Sequence, residues 1–90
     1  MYKILILAGG YSNEREISLI TAKSVIQELK KVKKYKLLLI EPDGSFVKKL
    51  RKFKPNLVLN LLHGRYGEDG YIQSILESEK VRYSHSGVLS

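Results

Sequence analysis

YKILILAGG (Tyr2–Gly10) opens the chain with a compact run of branched aliphatic residues that stops at two adjacent glycines. No polar residue interrupts Ile4 to Ala8. The run therefore lacks the alternation of a half-solvated strand and fits one covered on both faces. Strands of that kind belong to parallel sheets layered between helices. The two glycines mark a place where the backbone must pass close to a neighbour or take a conformation closed to other residues.

The rest of the chain repeats this theme. Ser12 or Asn13 offers an N-cap, and Asn13 with Glu16 has the spacing of a capping box. From Ile17 the apolar positions Ile17, Thr21, Val25, Leu29 and Val32 recur every three or four residues, with Ala22 and Ile26 beside them. That predicts an amphipathic helix of about 16 residues. Lys30, Lys31, Lys33 and Lys34 are expected in its last turn, where cations suit the dipole. Lys36 to Glu41 is a second buried-strand pattern, Pro42-Asp43-Gly44 a turn, and Phe46 to Phe53 a short helix closed by Pro55. Asn56 to Leu62 is a third strand and HGRYGEDG (His63–Gly70) a polar, glycine-rich loop. Asp69 is placed to cap a helix from Gly70 to Glu79, with Ile72, Ile75 and Leu76 inward. Val81 to Tyr83 is a short fourth strand. Strands alternating with helices across short links predict an α/β fold: a doubly wound, mainly parallel four-stranded sheet flanked by helices, of Rossmann-like form.

Composition narrows the class. Ninety residues make one small domain with a modest core. With no cysteine there is neither a disulfide scaffold nor a thiol nucleophile. The longest apolar run, Ile4 to Ala8, falls far short of the roughly 20 residues of a membrane span. The run ends in glycines and then meets Glu14, Arg15 and Glu16, which is not a signal peptide, so the chain is expected inside the cell. The net charge of +7 arises from 16 Lys plus Arg against 9 Asp plus Glu. The lysines gather at 30–36 and 48–54, which reads either as solvated helix faces or as an anion patch.

Ligands of open parallel sheets bind beyond the carboxyl ends of the strands. Gly9 and Gly10 follow the first strand, Gly64, Gly67 and Gly70 the third, and Gly87 the fourth. The first loop is not a dinucleotide fingerprint: its glycines are adjacent, no third follows, and Glu14 and Glu16 put negative charge where a pyrophosphate would sit. Those carboxylates either complement the first helix dipole or face a cation such as a substrate ammonium. His63 opens the second loop at the same rim, as a hydrogen-bonding structural residue or as part of a site. With Glu68 and Asp69 it forms only a weak metal set.

Three motifs then converge. GGYSNEREISL (Gly9–Leu19) resembles the G-G-x-S-x-E-R-E-[VI]-S motif of D-alanine–D-alanine ligases, and LHGRYGEDGYIQSILE (Leu62–Glu77) resembles their H-G-x-x-G-E-D-G-x-[LIV]-Q-[GS] motif. YSHSGVLS (Tyr83–Ser90) is similar to the Y-[ST]-G-S-G-V-x-[AS] segment that follows. The resemblance covers the whole chain and implies the N-terminal, pre-ATP-grasp domain of an ATP-grasp ligase. It also implies that the central and C-terminal domains, which in the family hold ATP and Mg2+ (or Mn2+), lie outside these residues. No cofactor or metal site is then expected within the 90 residues, which alone should be inactive.

The complete enzyme would phosphorylate one D-alanine carboxylate and let the amine of a second attack it, giving the dipeptide for peptidoglycan in the bacterial cytoplasm. By motif position, Glu14 corresponds to the glutamate that holds the first D-alanine's ammonium and helps orient a Ser/Tyr pair of the central domain. Ile17 corresponds to an aliphatic residue beside the substrate methyl, and His63 to the histidine near the substrate carboxylate. Gly9, Gly10, Gly64, Gly67 and Gly70 would shape the loops. His85 departs from a family glycine and Tyr66 stands where glycine is common. The implied partners are D-alanine, the ATP-grasp domains and a second copy in a homodimer, with neither nucleic acid nor membrane. Three alternatives compete: a flavodoxin-like small-ligand module, a basic nucleic-acid-binding domain, and a D-alanine–D-lactate ligase of the same family.

Overall fold

The computed structural model describes residues 1–10, 13–62 and 68–85, with the backbone alone at 68–71 and at 85. Among the described residues seven elements follow one another: β1 (Tyr2–Leu7), α1 (Arg15–Leu29), β2 (Tyr35–Ile40), α2 (Phe46–Phe53), β3 (Leu57–Asn60), α3 (Glu68–Ser78) and β4 (Tyr83–His85). The strands form one sheet in the order β2-β1-β3-β4, and every pairing is parallel. The expected doubly wound α/β architecture is therefore the one adopted.

β1 is central, and its side chains divide between two cores because successive residues of a strand point to opposite faces. Leu5 and Leu7 pack with Phe46 and Leu50 of α2, Val58, and Ile72 and Leu76 of α3. Ile4, Ile6 and Ala8 pack with Ala22 and, around it, Leu19, Val25, Ile26 and Leu29 of α1. One helix thus covers one face and two cover the other. Each fully buried aliphatic side chain contributes about 1.5–3 kcal/mol relative to exposure. β2 departs from the buried-strand expectation: it lies at the sheet edge, and Leu39 is 41% exposed.

Several sequence expectations are corrected. α1 begins at Arg15 with Glu14 at the N-cap and no side-chain capping bond there, so the Asn13–Glu16 capping box is not what starts it. Its buried stripe is Ser18 and Ala22, continued by Val25, Ile26 and Leu29, rather than a stripe through Ile17. Ile17 is 57% and Ile20 64% exposed. The displacement follows from Ser18, whose hydroxyl is bonded beneath the helix and sets its rotation.

Lys30 to Lys34 follow the end of α1 instead of occupying its last turn. Ser45 precedes α2 without capping it, because its hydroxyl donates to Asp43 Oδ1 at 2.6 Å. Lys54 ends α2 in the left-handed conformation, φ 52°. Asp69 lies within α3, which starts at Glu68, so it is not that helix's N-cap. β4 is shifted to Tyr83–His85 from the expected Val81–Tyr83. His85 pairs with Asn60 in extended backbone, so the replaced family glycine imposes no left-handed turn at that residue. Lys48, Lys49 and Lys52 line the exposed side of α2.

Candidate functional site

The parallel register aligns the last residues of all four strands, in the order Ile40, Leu7, Asn60, His85. Beyond that row the chain leaves β1 through Ala8, Gly9 and Gly10, β2 through Glu41, and β3 through Leu61 and Leu62. Backbone bonds still hold these exits together: the Ala8 amide donates to Ile40 at 3.1 Å, and the Leu61 amide to Leu7 at 2.8 Å. From β1 the chain winds to β2 on one side, then crosses back to β3 on the other. The reversal at β1 and β3 opens the crevice where sheets of this type receive ligands.

Ser18 fixes the first turn of α1 over this crevice. Its hydroxyl accepts the Gly9 amide at 2.9 Å and donates to the Leu61 carbonyl at 2.7 Å, and its side chain is fully buried. One hydroxyl thus satisfies a backbone donor leaving β1 and an acceptor leaving β3, which would otherwise be orphaned in the core. Asn60, also buried, accepts the Leu62 amide at 3.1 Å and shapes the chain immediately before His63.

Glu41 joins the rim from the β2 side. Arg15 donates Nε to Oε1 at 3.1 Å and Nη2 to Oε2 at 2.6 Å, a two-pronged fork. The Arg15 fork above all holds the Glu41 carboxyl below the usual carboxylate range, and the nearby Gly10 amide adds to the effect. Gly9 and Gly10 have φ of 93° and 92°. A Cβ on Gly9 would lie 2.5 Å from Glu41 Oε1. Both glycines therefore meet the conformational demand read from the sequence, and at Gly9 the close neighbour is Glu41.

Glu14, at the N-cap of α1, has its carbonyl accepting the Ser18 amide at 3.0 Å, so it stands one helical turn above the Ser18 anchor at the rim. Ile17 is exposed on the same first turns. His63, Gly64 and Gly67 lie outside the described residues, and Gly70 is in the first turn of α3. The β1–β3 adjacency brings the ends of the two strands from which the motif-bearing connections leave to one end of the sheet. Sequence alone does not single out Glu41 or Asn60, and gives Ser18 no role beyond closing the first motif. Ser18 left a trace, as a polar residue on the stripe shared with Ala22, Val25 and Leu29, where a hydroxyl needs partners.

Among the described residues Glu14, Glu16 and Glu41 gather negative charge at this rim, and Arg15 is engaged by Glu41. Among the described residues no group of three or more His, Cys, Asp or Glu is placed to hold a metal ion. No helix among them is long and apolar enough to cross a membrane.

A parallel sheet whose strand order reverses at β1 and β3, with a glycine pair and a carboxylate-bearing helix start beyond its carboxyl ends, defines the doubly wound, open-sheet α/β class. Residues 3–56, more than half of the chain, match the family model described as D-ala D-ala ligase N-terminus, and the chain belongs to that family. D-alanine–D-alanine ligase of Pelagibacter ubique (strain HTCC1062) is 56% identical over 88 residues, covering 98% of this chain and 29% of that protein. The ligase of Wolbachia pipientis wMel is 46% identical over 87 residues, 97% of this chain and 27% of its own length. The crystal structure of the Bacillus anthracis D-alanine–D-alanine ligase complexed with ATP superposes with a TM-score of 0.75 at 32% identity, over 93% of this chain and 28% of that one. The chain thus spans less than a third of the length of these relatives.

Proposed function

We propose that these residues form the substrate-side N-terminal domain of a D-alanine–D-alanine ligase, whose ATP-binding and metal-binding residues lie in further domains. The full protein would join two D-alanines for peptidoglycan synthesis in the bacterial cytoplasm. ATP, bound by those domains with Mg2+, supplies the phosphoryl group that activates the first carboxylate. The rim residues do the holding: Glu14 takes the ammonium of the first D-alanine, and Ile17 borders its methyl. His63, one residue past Leu62, meets the carboxylate, where a donor offsets developing charge. The placement of Glu14 at the N-cap of α1, over the β1–β3 switch, carries this reading.

An ammonium held by a carboxylate also has its reactive carboxyl aimed in one direction, which lowers the entropy cost of the step. In the full-length protein, Glu14→Gln is expected to raise the KM for the first D-alanine or lower kcat by about tenfold or more. Unchanged KM and kcat would overturn the assignment. An ester product formed from D-lactate in preference to the D-alanine dipeptide would move the protein to the depsipeptide-forming branch.

A further inference from the structure

The first turns of α1 have little apolar packing to hold them. Ile17 and Ile20 are largely exposed, and the fully buried residues of the helix are Ser18 and Ala22. Leu19 and the aliphatic positions Val25, Ile26 and Leu29 are only partly buried against the sheet. On the solvent side Arg15 pairs with Glu41, at an exposure where ion pairs contribute little. Ser18 differs in kind, because its hydroxyl bonds β1 through the Gly9 amide and β3 through the Leu61 carbonyl. Aliphatic contact is non-directional and lets a helix roll, whereas two directed bonds to two strands fix both its rotation and its height above the sheet. Residues three and four apart on a helix are neighbours, so Glu14, Ile17 and Ser18 share one turn. The Ser18 amide donates to the Glu14 carbonyl at 3.0 Å, which closes that turn. With Ser18 turned inward, Ile17 beside it is turned out, and an apolar side chain lies open next to Glu14.

We infer that Ser18 is a positioning residue for the substrate: its two buried bonds hold α1 in the rotation that presents Glu14 and Ile17 together at the rim. This rests on the assignment of Glu14 to the ammonium of the first D-alanine and of Ile17 to its methyl. Ser18, buried beneath them, touches neither group. It acts by confining the helix start, and a start free to roll would offer the carboxylate and the apolar side chain in the right relation in fewer of its conformers. Fewer binding-competent molecules mean a higher KM. Because Glu14 and Ile17 turn as one unit, the grip on the ammonium and the preference for a methyl are lost together.

The test is steady-state kinetics of the full-length protein, with D-alanine or glycine as the first amino acid, beside thermal melting. Glycine keeps the ammonium and the carboxylate but lacks the methyl, so the ratio of the two kcat/KM values reads the methyl contact. Glu14→Gln is expected to weaken both amino acids about equally, and Ile17→Ala to lower the preference for D-alanine. Ser18→Ala should do both: KM for D-alanine rises about tenfold and the preference falls about threefold or more, while kcat changes less than about threefold and KM for ATP stays the same. Leu50→Val, which opens space in the opposite core layer, should lower the melting temperature and leave KM and preference unchanged. If Ser18→Ala likewise loses melting temperature alone while Glu14→Gln raises KM, the inference is overturned and the Glu14 assignment survives. A preference kept in Ser18→Ala but lost in Ile17→Ala would also overturn it. If neither Glu14→Gln nor Ile17→Ala changes binding or preference, the reading of the rim falls and the inference with it. Should Ser18→Ala fail to fold, Ser18→Cys, with a weaker donor and acceptor, is expected to shift KM and preference in the same direction by less. An unchanged KM and preference in that variant, at a lowered melting temperature, would overturn the inference.

Discussion

The Ser18 hydroxyl lies 2.7 Å from the carbonyl oxygen of Leu61, forty-three residues away in the chain, and joins the first turn of α1 to the exit of β3. The same oxygen receives the Gly9 amide from β1. Two strands and a helix therefore meet on one atom, directly beneath the turn that carries Glu14. Helix rotation, loop path and rim geometry are not independent here. A change at Ser18 is felt in all three.

Ser18→Ala is expected to destabilise the protein by about 1–3 kcal/mol, because it leaves the Gly9 amide and the Leu61 carbonyl buried without their partner. Ile20→Ala, two residues on and 64% exposed, should stay within about 0.5 kcal/mol. Urea unfolding of both variants measures the contrast. Equal losses would mean that the buried stripe of α1 does not pass through Ser18.

Gly9→Ala should cost at least about 1 kcal/mol, since alanine at φ 93° is strained whatever the space around it. Its Cβ would in addition press on the Glu41 carboxylate. Glu41→Ala in the same chain is expected to remove the contact and leave the backbone strain. Denaturant midpoints of the single and double variants then separate the two contributions, and complete rescue would show that the contact alone forbids a side chain.

Acid should weaken the fold through a defined set of carboxylates. Glu41 is held below the usual range mainly by Arg15, Asp43 mainly by the Ser45 hydroxyl, and Glu79 mainly by Arg51, which bonds it at 3.0 and 2.9 Å. A carboxylate with a depressed folded pKa binds fewer protons than it does unfolded. Its stabilisation is therefore complete above the ordinary range of about 4 and is lost as pH falls through the folded value. Melting temperatures should be flat from pH 7 to about 5 and fall steadily below 4. Arg51→Gln should flatten part of that fall, as Glu79 returns towards its ordinary value. An identical acid limb in Arg51→Gln would remove the pair from the account.

Much of this was legible without coordinates. The unbroken run Ile4 to Ala8 required cover on both faces and received it. The strand–helix alternation fixed the parallel sheet, and the three motifs fixed the family. Boundaries read less well where a local signal had a tertiary competitor. The Asn13–Glu16 capping box lost to a start at Arg15, where the fork to Glu41 fastens the first turn. The apolar period of α1 was equally readable through Ile17, and only the bonds of Ser18 decide against it.

By itself, then, the sequence determined the α/β class, the glycine-marked rim and the family, because patterning, turn chemistry and motif spacing are local properties of a chain. Tertiary structure alone decided that β1 lies between β2 and β3, that Ser18 bridges Gly9 and Leu61, and that Glu41 pairs with Arg15. Those bonds join residues up to 43 positions apart, and no local preference encodes a partner that only the sheet brings within reach.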